Sequence, residues 1–369
     1  MRTAFPEGED SDRGQRRRGR HQGISHMTYM IGGRDMFTFV VTCYNQADVV
    51  PDMLESIRYQ IERYGQGQTF QLIVTDDGSK DNSCRVINRW LEENGKLFVR
   101  INRLFRDENA GICVNYVDAL RLVEGERFVA VNGDDLLAPY NLFDITAKLD
   151  EYDMVCTAFL KFTGEGDIVR RYGTYLEVAL QNFIRGKTLY RCIKLGFPIM
   201  GTAVYRKSLL SESVLDFILR FRTVNDRACF QKILDENRDI RVCYVNRPII
   251  LYRISDTSIS NFNSPTRVLH NREVAGLCRI EREKEKSPVF RLLLFVQEKS
   301  AVFRTSPSRY MRLLRFCSPY FAVMLWLYVR HYGHIRELER QLVDGHREDC
   351  REHYLAMANS AAGKQFTIS

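Results

Sequence analysis

Four apolar, β-branched runs alternate with helical patterns in the first part of the chain, and no other feature constrains the fold as strongly. The runs predict strands at residues 36–43, 70–75, 97–101 and 128–131. The segments between them carry apolar residues at helical spacing, beginning with Val50, Met53, Leu54, Ile57 and Ile61. Because the order is β-α-β-α-β-α-β, we expect an α/β fold with a mostly parallel, buried central sheet.

The remainder of the chain is less regular. Strands are predicted at 153–162 and 199–205, with a strand pair at 241–252, and helices at 173–191, 208–221 and 224–236. Residues 1–35 have no sustained apolar period and predict a disordered tail. We therefore expect three parts, namely a tail over 1–35, a main domain over 36–262 and a basic helical C-terminal region over 263–369.

The net charge of +8 is unevenly distributed along the chain. Residues 1–35 carry +2, the middle of the chain −1, and residues 265–369 carry +7. A nucleic-acid-binding protein more often carries its basic residues on the main fold, so we expect no nucleic-acid partner. A basic appendage suits an anionic membrane surface, and it is also typical of a solvated helical face.

Cysteine and histidine positions exclude several classes of site. The ten cysteines form no CxxC pair, and with no apolar h-region near the start they indicate reduced thiols in a cytoplasmic protein. No histidine lies between residues 27 and 269. A Ser-His-Asp triad, a Cys-His pair or a histidine zinc site is therefore excluded from the main domain, and acid–base chemistry there falls mainly to carboxylates.

Polar residues follow three of the predicted strands at the point where each strand ends. In a parallel sheet these ends meet at one edge, where open α/β sheets bind ligands. Each motif alone is also typical of a turn or a helix cap. Their coincidence at one edge favours a binding site, with carboxylates that need a cation or ligand donors nearby. The motifs are Thr42-Cys43-Tyr44-Asn45, Asp76-Asp77-Gly78-Ser79 and Asn132-Gly133-Asp134-Asp135.

The ordered set of motifs resembles glycosyltransferase family 2, the inverting nucleotide-sugar transferases with the GT-A fold. The resemblance covers about residues 36–262, and its order is more specific than any single motif. Besides the three strand ends it includes Asn109-Ala110-Gly111 with Asn115, residues 201–206, Asn225-Asp226, and residues 252–260. It implies that 36–262 is a GT-A catalytic domain.

The resemblance also implies roles for individual residues around the donor. The first strand end lines the nucleotide-base pocket, Asp76 or Asp77 accepts hydrogen bonds from the uracil or ribose, and the segment from Asn109 follows the nucleotide. A late loop that begins at Arg253 closes over the diphosphate, which limits hydrolysis of the donor. The implied donor-binding residues are Thr42, Tyr44, Asn45, Asp76, Asp77, Asn109, Gly111, Asn115, Asp134, Arg253 and Ser258.

Asp134 and Asp135 match the family's metal-binding motif, which implies Mn²⁺ or Mg²⁺ as cofactor. A metal ion would neutralise the charge that develops on the nucleoside diphosphate as it leaves. The sequence has no GxxxxGKS/T motif, so a P-loop that would bind the phosphates is not available. The sequence departs from the family at Asn132, where many relatives have Asp, which leaves the exact ligand set open.

Asp226 matches the family's catalytic base, the carboxylate that takes the proton of the acceptor hydroxyl. Here the preceding residue is Asn225 instead of the usual Glu, and Ser255 stands near the place of a histidine in the late loop. A simple capping role for Asn225 and Asp226 remains an alternative. Asp216 is a weaker candidate base.

The C-terminal region lies outside the resemblance. Residues 320–329 are ten consecutive apolar residues after Ser318-Pro319, too few to span a bilayer. The stretch suits either an interfacial helix, with Trp326 and Tyr328 at headgroup depth and basic residues on anionic lipid, or a core helix or dimer seam. Peripheral membrane contact through residues 312–330 and a homodimer both remain open.

The resemblance implies transfer of one monosaccharide from a nucleotide sugar, expected to be UDP-linked, to a hydroxyl of a glycan or lipid-linked acceptor. Cell-surface polysaccharide biosynthesis at the cytoplasmic face is the implied context. Neither tryptophan lies in the QxxRW motif of processive synthases. Two alternatives remain: a non-catalytic scaffold, favoured by the two replaced acids, and a sugar nucleotidyltransferase, disfavoured because residues 42–46 lack Gly and Lys.

Overall fold

A computed structural model describes residues 36–169, 181–183, 186–195, 203–254 and 266–363. The predicted tail over 1–35 and the predicted domain boundary near 262 lie outside these residues. So do the predicted strand residues 199–202 and most of the helix predicted at 173–191.

The first sheet has four strands in the order β3-β2-β1-β4, and all of its pairings are parallel. The predicted α/β class and parallel sheet are confirmed. In chain order its elements are β1 (Met36–Cys43), α1 (Val50–Tyr64), β2 (Thr69–Asp76), α2 (Ser83–Asn94), β3 (Arg100–Phe105), α3 (Ile112–Arg121) and β4 (Arg127–Asn132).

Helices bury both faces of this sheet. Along β1, Phe37, Phe39 and Val41 pack on the side of α1 and α2, while Val40 points to the opposite side, towards α3. Burial of one such side chain contributes about 1.5–3 kcal/mol. This two-sided burial explains why the strands appear in the sequence as apolar runs without polar alternation.

The prediction of the third strand is wrong in position. Residues 95–97 form a short 3-10 turn, Val99 is exposed, and β3 begins only at Arg100. As an edge strand, β3 buries little of its surface, so its apolar pattern is weak. The run that we assigned to the strand, 97–101, includes the last residue of that turn and only the first two residues of β3.

A second sheet of four strands continues the fold in the order β5-β8-β6-β7. The strand pair predicted at 241–252 is one twelve-residue strand, because a register shift at residues 157–159 of its partner accommodates the exposed residues Asn246 and Arg247. Its elements and the helices among them are β5 (Leu136–Leu137), α4 (Leu142–Ala147), β6 (Met154–Phe162), α5 (Gly186–Lys194), β7 (Ala203–Tyr205), α6 (Glu212–Ile218), α7 (Asn225–Glu236) and β8 (Val242–Arg253).

The C-terminal region is helical, as predicted. Among the described residues, no helix is both long enough and apolar enough to cross a membrane. The helices are α8 (Arg267–Lys284), α9 (Pro288–Phe303), α10 (Arg309–Leu313), α11 (Pro319–Asp344) and α12 (Arg347–Gly363). Ser318 caps α11 through its hydroxyl, and Pro319 follows at the first helical position.

The last helix, α12, packs against α1 and against the short strand β5. The imidazole of His353 donates to the carbonyl of Leu137 at 3.0 Å and lies edge-on to Tyr59. Ser360 donates to the buried Glu55 at 2.6 Å, and Trp90 donates to the other oxygen of Glu55 at 2.8 Å. Helix α12 is thus part of the core between α1 and the second sheet.

Burial lowers the pKa of His353 to about 4, against the opposing effect of the hydrogen bond to Leu137. Between about 4 and 6.5 the unfolded chain binds a proton that the native state does not, so stability falls as the pH falls. We expect the free energy of unfolding to be about 2 kcal/mol lower at about pH 5 than at about pH 7 from this residue. His353→Gln retains a donor and should lose that difference in urea titrations.

Candidate active site

The three polar strand ends meet at the carboxyl edge of the first sheet. In the ladder Cys43 is aligned with Asp76 and Thr42 with Asn132. The hydroxyl of Thr42 donates to Oδ1 of Asn132 at 3.2 Å, and the amide of Gly133 donates to the carbonyl of Thr42 at 2.8 Å. The predicted convergence is therefore present in the structure.

The loop after β1 is clamped by the loop after β2. The amide of Asn45 donates to the hydroxyl of Ser79 at 2.7 Å, and the amide of Lys80 donates to Oδ1 of Asn45 at 2.8 Å. Asn45 has a left-handed backbone with φ of 50°, a conformation that Asn tolerates better than most residues. Tyr44 is held beside this clamp with 45% of its side chain exposed, so its ring is open to a ligand.

The two aspartates after β2 are buried and accept hydrogen bonds from the chain itself. Asp76 accepts from the amide and the hydroxyl of Ser79 at 2.8 and 2.6 Å. Asp77 accepts from the amide of Ala110 with one oxygen and from that of Gly111 with the other, both at 2.9 Å. Burial raises the pKa of Asp77, although these two amides favour the carboxylate.

A glycine is required between these loops. Gly78 has φ of 76°, and a Cβ there would lie 2.6 Å from the backbone of Glu108. The loop after β3 can therefore lie directly against the loop after β2, within reach of Asp77. Asn109, the residue that follows Glu108, is exposed at this edge.

Gly111 precedes α3 with φ of 98°, and Asn115 lies one turn into the helix. The side-chain amide of Asn115 donates to Thr75 at 2.9 Å. Its carbonyl oxygen is buried, with no hydrogen-bond partner among the described residues. Such an orphaned acceptor is uncommon in a folded protein and marks a place where a ligand donor would be favourable.

The two aspartates of the acidic loop after β4 have different surroundings. Asp135 is buried and accepts from the amide of Arg253 at 3.0 Å and from the side-chain amide of Asn132 at 3.4 Å. Burial and the nearby Asp134 raise the pKa of Asp135 well above its usual value. Asn132 therefore supplies a donor that an aspartate at this position would lack.

Asp134 differs from its neighbours because, in the part of the chain that is described, only its own backbone amide supports its carboxylate. Burial raises the pKa of Asp134, with Arg253 as the opposing charge. A divalent cation would offset this poorly compensated negative charge. No group of three or more His, Cys, Asp or Glu gathers within the described ranges. The residues thus fit a metal held by Asp134 and by ligand oxygens, as Mg²⁺ is often bound.

Arg253 is buried instead of facing the open edge. Its Nη2 donates to Asp52 of α1 at 2.8 Å, its Nε donates to the carbonyl of Asp134 at 2.8 Å, and its guanidinium lies over the rings of Phe162 and Tyr354. In this conformation it supports the acidic loop from behind. Ser258 and the rest of the late loop lie outside the described residues.

Asp226 lies exposed in the first turn of α7, where the helix N-terminus favours its negative charge. Glu273 of α8 fixes the preceding turn by accepting from the amides of Arg222 and Thr223, both at 2.8 Å. A Cβ on Gly111 would lie 3.5 Å from Nε of Arg222, so this turn adjoins the start of α3.

Asp216 lies elsewhere. It pairs with Arg121 at 3.6 Å, at the C-terminal end of α3, whereas Gly111 precedes the N-terminal end. The ten residues of α3 separate these ends by about 15 Å. The geometry therefore favours Asp226 over Asp216 as a group near the strand ends.

Several positioning residues were not predicted from the sequence. They include Asp52, which pairs with Arg253, Glu273, which fixes the turn before Asp226, and His353 of the last helix. Asp52 and Glu273 lie on ordinary amphipathic helices, where local spacing gives no signal of their long-range partners. The Ser-Lys-Asp-Asn-Ser stretch after Gly78 did carry a signal, because it is rich in turn-forming residues. Side chains within it accept hydrogen bonds from the loop after β1 and hold that loop in place.

The sequence model of "Glycosyl transferase family 2" matches residues 38–214. This chain carries a glycosyltransferase family 2 domain. The match includes all three strand ends and the start of α3.

Two staphylococcal proteins are similar to this chain in sequence. A teichoic acid poly(glycerol phosphate) polymerase of Staphylococcus epidermidis is 31% identical over 126 residues, which cover 34% of this chain and 16% of that protein. The poly(ribitol-phosphate) beta-N-acetylglucosaminyltransferase TarS of Staphylococcus aureus is 24% identical over 206 residues, covering 55% of this chain and 33% of TarS. The chain matches well under half the length of either relative.

Solved structures share the GT-A fold of the domain. Residues 1–349 of S. aureus TarS in complex with UDP-GlcNAc give a TM-score of 0.51 at 16% identity, over 89% of this chain and 92% of that one. A mannosyltransferase of Pyrobaculum calidifontis in complex with GDP-Man and Mn²⁺ gives 0.50 at 18% identity, over 90% and 88%. At these identities the likeness concerns the fold alone.

Asp77→Asn tests the link between the loops of the family 2 domain. The amide nitrogen of Asn cannot accept, so one of the two backbone donors at Ala110 and Gly111 loses its partner, at a cost of about 1–3 kcal/mol. We expect lower stability in chemical denaturation and weaker binding of UDP in calorimetry. Asp107→Asn, at an exposed position near this loop, is the matched control. Equal stability of the two variants would contradict the role of Asp77.

Proposed function

We propose that this protein is an inverting glycosyltransferase that moves one monosaccharide from a UDP-linked donor to a hydroxyl of a glycan or lipid-linked acceptor. The proposed setting is cell-surface polysaccharide biosynthesis at the cytoplasmic face of a membrane. One observation carries the proposal. At the carboxyl edge of the first sheet, the carboxylate of Asp134 has few hydrogen-bond donors, whereas the neighbouring acids already accept hydrogen bonds.

The donor nucleotide is proposed to lie along the ends of β1 and β2. Tyr44 offers an exposed ring, and the buried oxygen of Asn115 offers an acceptor without a protein partner. Asp77 fixes the loop that carries Asn109 and Gly111. In this proposal Asp77 acts on the nucleotide mainly by positioning that loop.

The diphosphate is proposed to bind with Mn²⁺ or Mg²⁺ at Asp134. The metal would supply Lewis-acid stabilisation of the leaving group when bound. Asp135 is proposed to position the loop, because both of its oxygens already accept hydrogen bonds. Arg253 then acts by pairing with Asp52 and holding the carbonyl of Asp134, and not by contacting the phosphates directly.

Asp226 is proposed as the base. Its carboxylate is exposed, next to the turn that meets Gly111. It would take the proton from the acceptor hydroxyl as that oxygen attacks the anomeric carbon, and the sugar–phosphate bond would break on the opposite side with inversion.

The relatives support the class of chemistry. TarS acts by its name on poly(ribitol-phosphate) and has been solved with UDP-GlcNAc, while the P. calidifontis mannosyltransferase has been solved with GDP-Man and Mn²⁺. Because Asn132 and Asn225 stand where the family usually has acids, a non-catalytic scaffold is the second candidate. The hydrogen bond from Asn132 to Asp135 gives that departure a structural role that is compatible with catalysis.

Asp134→Ala tests the donor site. We expect wild-type protein to bind UDP in calorimetry and to bind it more tightly when Mn²⁺ is added. The variant should lose the effect of Mn²⁺, because the metal loses its protein ligand. Asp144→Ala, an exposed aspartate of α4, is the matched control. Binding of GDP alone would change the proposed donor, and binding of neither nucleotide would favour the scaffold.

Asp226→Asn tests the base. Loss of a general base lowers turnover by about 10²–10⁴-fold. We expect that loss in kcat with UDP affinity unchanged, measured as UDP release in the presence of a UDP-sugar and an acceptor glycan. Asp216→Asn removes an exposed carboxylate of α6 and should leave kcat near that of wild type. If the two variants turn over equally fast, Asp226 is not the base.

A further inference from the structure

Helices α9, α10 and α11 expose large apolar side chains on one part of the surface. Hydrogen bonds join these helices, since Ser300 of α9 donates to the carbonyl of Arg315 at 3.1 Å and the amide of Tyr320 donates to Gln297 at 3.4 Å. Seven large side chains are more than half exposed, namely Val289, Leu292, Tyr310, Leu313, Leu325, Trp326 and Val329. We call these residues the apolar–basic face, together with the arginines that lie between Glu298 and Glu337. Exposed apolar groups in such number mark an interaction surface.

Packing against the rest of the protein does not account for this face. On α11 the side chains of Met324 and Leu327 are buried in the core, while Leu325, Trp326 and Val329 point away from it, with Val329 71% exposed. The helix therefore already has its internal contact. Its second apolar side lacks a partner within the described part of the chain.

The charge of the region identifies the kind of partner. Between Glu298 and Glu337 the chain has no acidic residue. The same segment contains one lysine, Lys299, and six arginines, namely Arg304, Arg309, Arg312, Arg315, Arg330 and Arg336. Exposed tryptophan and tyrosine interleaved with arginine and without acids match the headgroup region of an anionic bilayer.

A second copy of the chain matches the face less well. A twofold dimer brings the same patch of each subunit together, so the arginines would approach their own counterparts. With no acidic residue in the segment, such an interface would lack compensating charges. A lipid surface supplies those charges as phosphates.

We propose that the apolar–basic face docks on the surface of an anionic lipid bilayer. Leu313, Leu325, Trp326 and Val329 would enter the headgroup–acyl boundary, and the arginines would contact lipid phosphates. The protein would lie on the membrane through α9–α11 without crossing it.

The face is linked to the Asp226 end of the candidate site through α8, since Glu273 of α8 fixes the turn before Asp226 and Arg279 of α8 donates to Glu298 of α9 at 3.0 Å. At the start of α8, burial lowers the pKa of Arg267, and the positive charge of Arg304, which follows α9, lowers it further. Arg267 and Asp226 both lie near the ring of His270, whose pKa burial and Arg267 lower. If the proposed function holds, docking would present the Asp226 side of the site to acceptors at the lipid surface.

The chain contains a built-in probe for the test. It has two tryptophans, of which Trp90 is fully buried and Trp326 is 62% exposed. On addition of vesicles of phosphatidylcholine with phosphatidylglycerol, we expect a blue shift of the Trp326 emission and co-sedimentation of the protein. Pure phosphatidylcholine vesicles should give much less of both, and added salt should reverse the binding.

Matched variants separate the apolar and basic contributions. Trp326→Phe should keep co-sedimentation but lose the blue shift, whereas Trp326→Ser with Leu325→Ser should lose both. Arg309→Ser with Arg330→Ser should weaken binding about fivefold per arginine. Arg85→Ser in α2 with Lys96→Ser in the turn after α2 makes the same change in net charge at exposed positions and should bind as wild type. Thermal unfolding of each variant confirms that it is folded.

Three results would overturn the proposal: no sedimentation with either vesicle, equal binding to neutral vesicles at all salt concentrations, or a blue shift that follows protein concentration without lipid. The last would identify the face as a dimer seam. Vesicle binding requires no sugar transfer, so Asp226→Asn should bind vesicles like wild type. An inactive protein that binds anionic vesicles would refute the proposed function alone.

Discussion

The buried guanidinium of Arg253 is the contact on which the arrangement of the site depends. It joins the second sheet to α1 through Asp52, holds the acidic loop through the carbonyl of Asp134, and lies over the rings of Phe162 and Tyr354. Removing one partner of such a buried pair costs about 3–5 kcal/mol, because the remaining charge stays desolvated. The same residue thus links both sheets, the acidic loop and the last helix.

The carboxylates at the sheet edge differ in how many hydrogen bonds each one accepts from the protein. Asp77 receives two backbone amides, whereas among the described residues Asp134 receives support only from its own amide and from the charge of Arg253. Asp135 is buried between the acidic loop and β8 and accepts from the amide of Arg253 and the side-chain amide of Asn132. This division explains how several acids can share one edge while one of them remains available to a cation.

The C-terminal helices serve two different surfaces. The last helix, α12, fills the core under α1 and places His353 against the strand that follows the acidic loop. In contrast, α9–α11 use one side for internal packing and leave the apolar–basic face outside. The sequence pattern over 320–329 suited both a core helix and an interfacial helix, and the structure shows why, since each side of α11 is apolar.

The sequence alone determined the order of the elements, the parallel sheet and the meeting of the three strand ends, because buried strands, helical spacing and right-handed crossovers are local or near-local rules. It misplaced β3, whose edge position weakens the apolar signal, and it split β8. Only the tertiary structure decided which carboxylates already accept hydrogen bonds from the protein. It also decided that Arg253 turns inward to Asp52 and that α12 supports the site. Those contacts join residues up to 305 positions apart, and no local spacing encodes such partners.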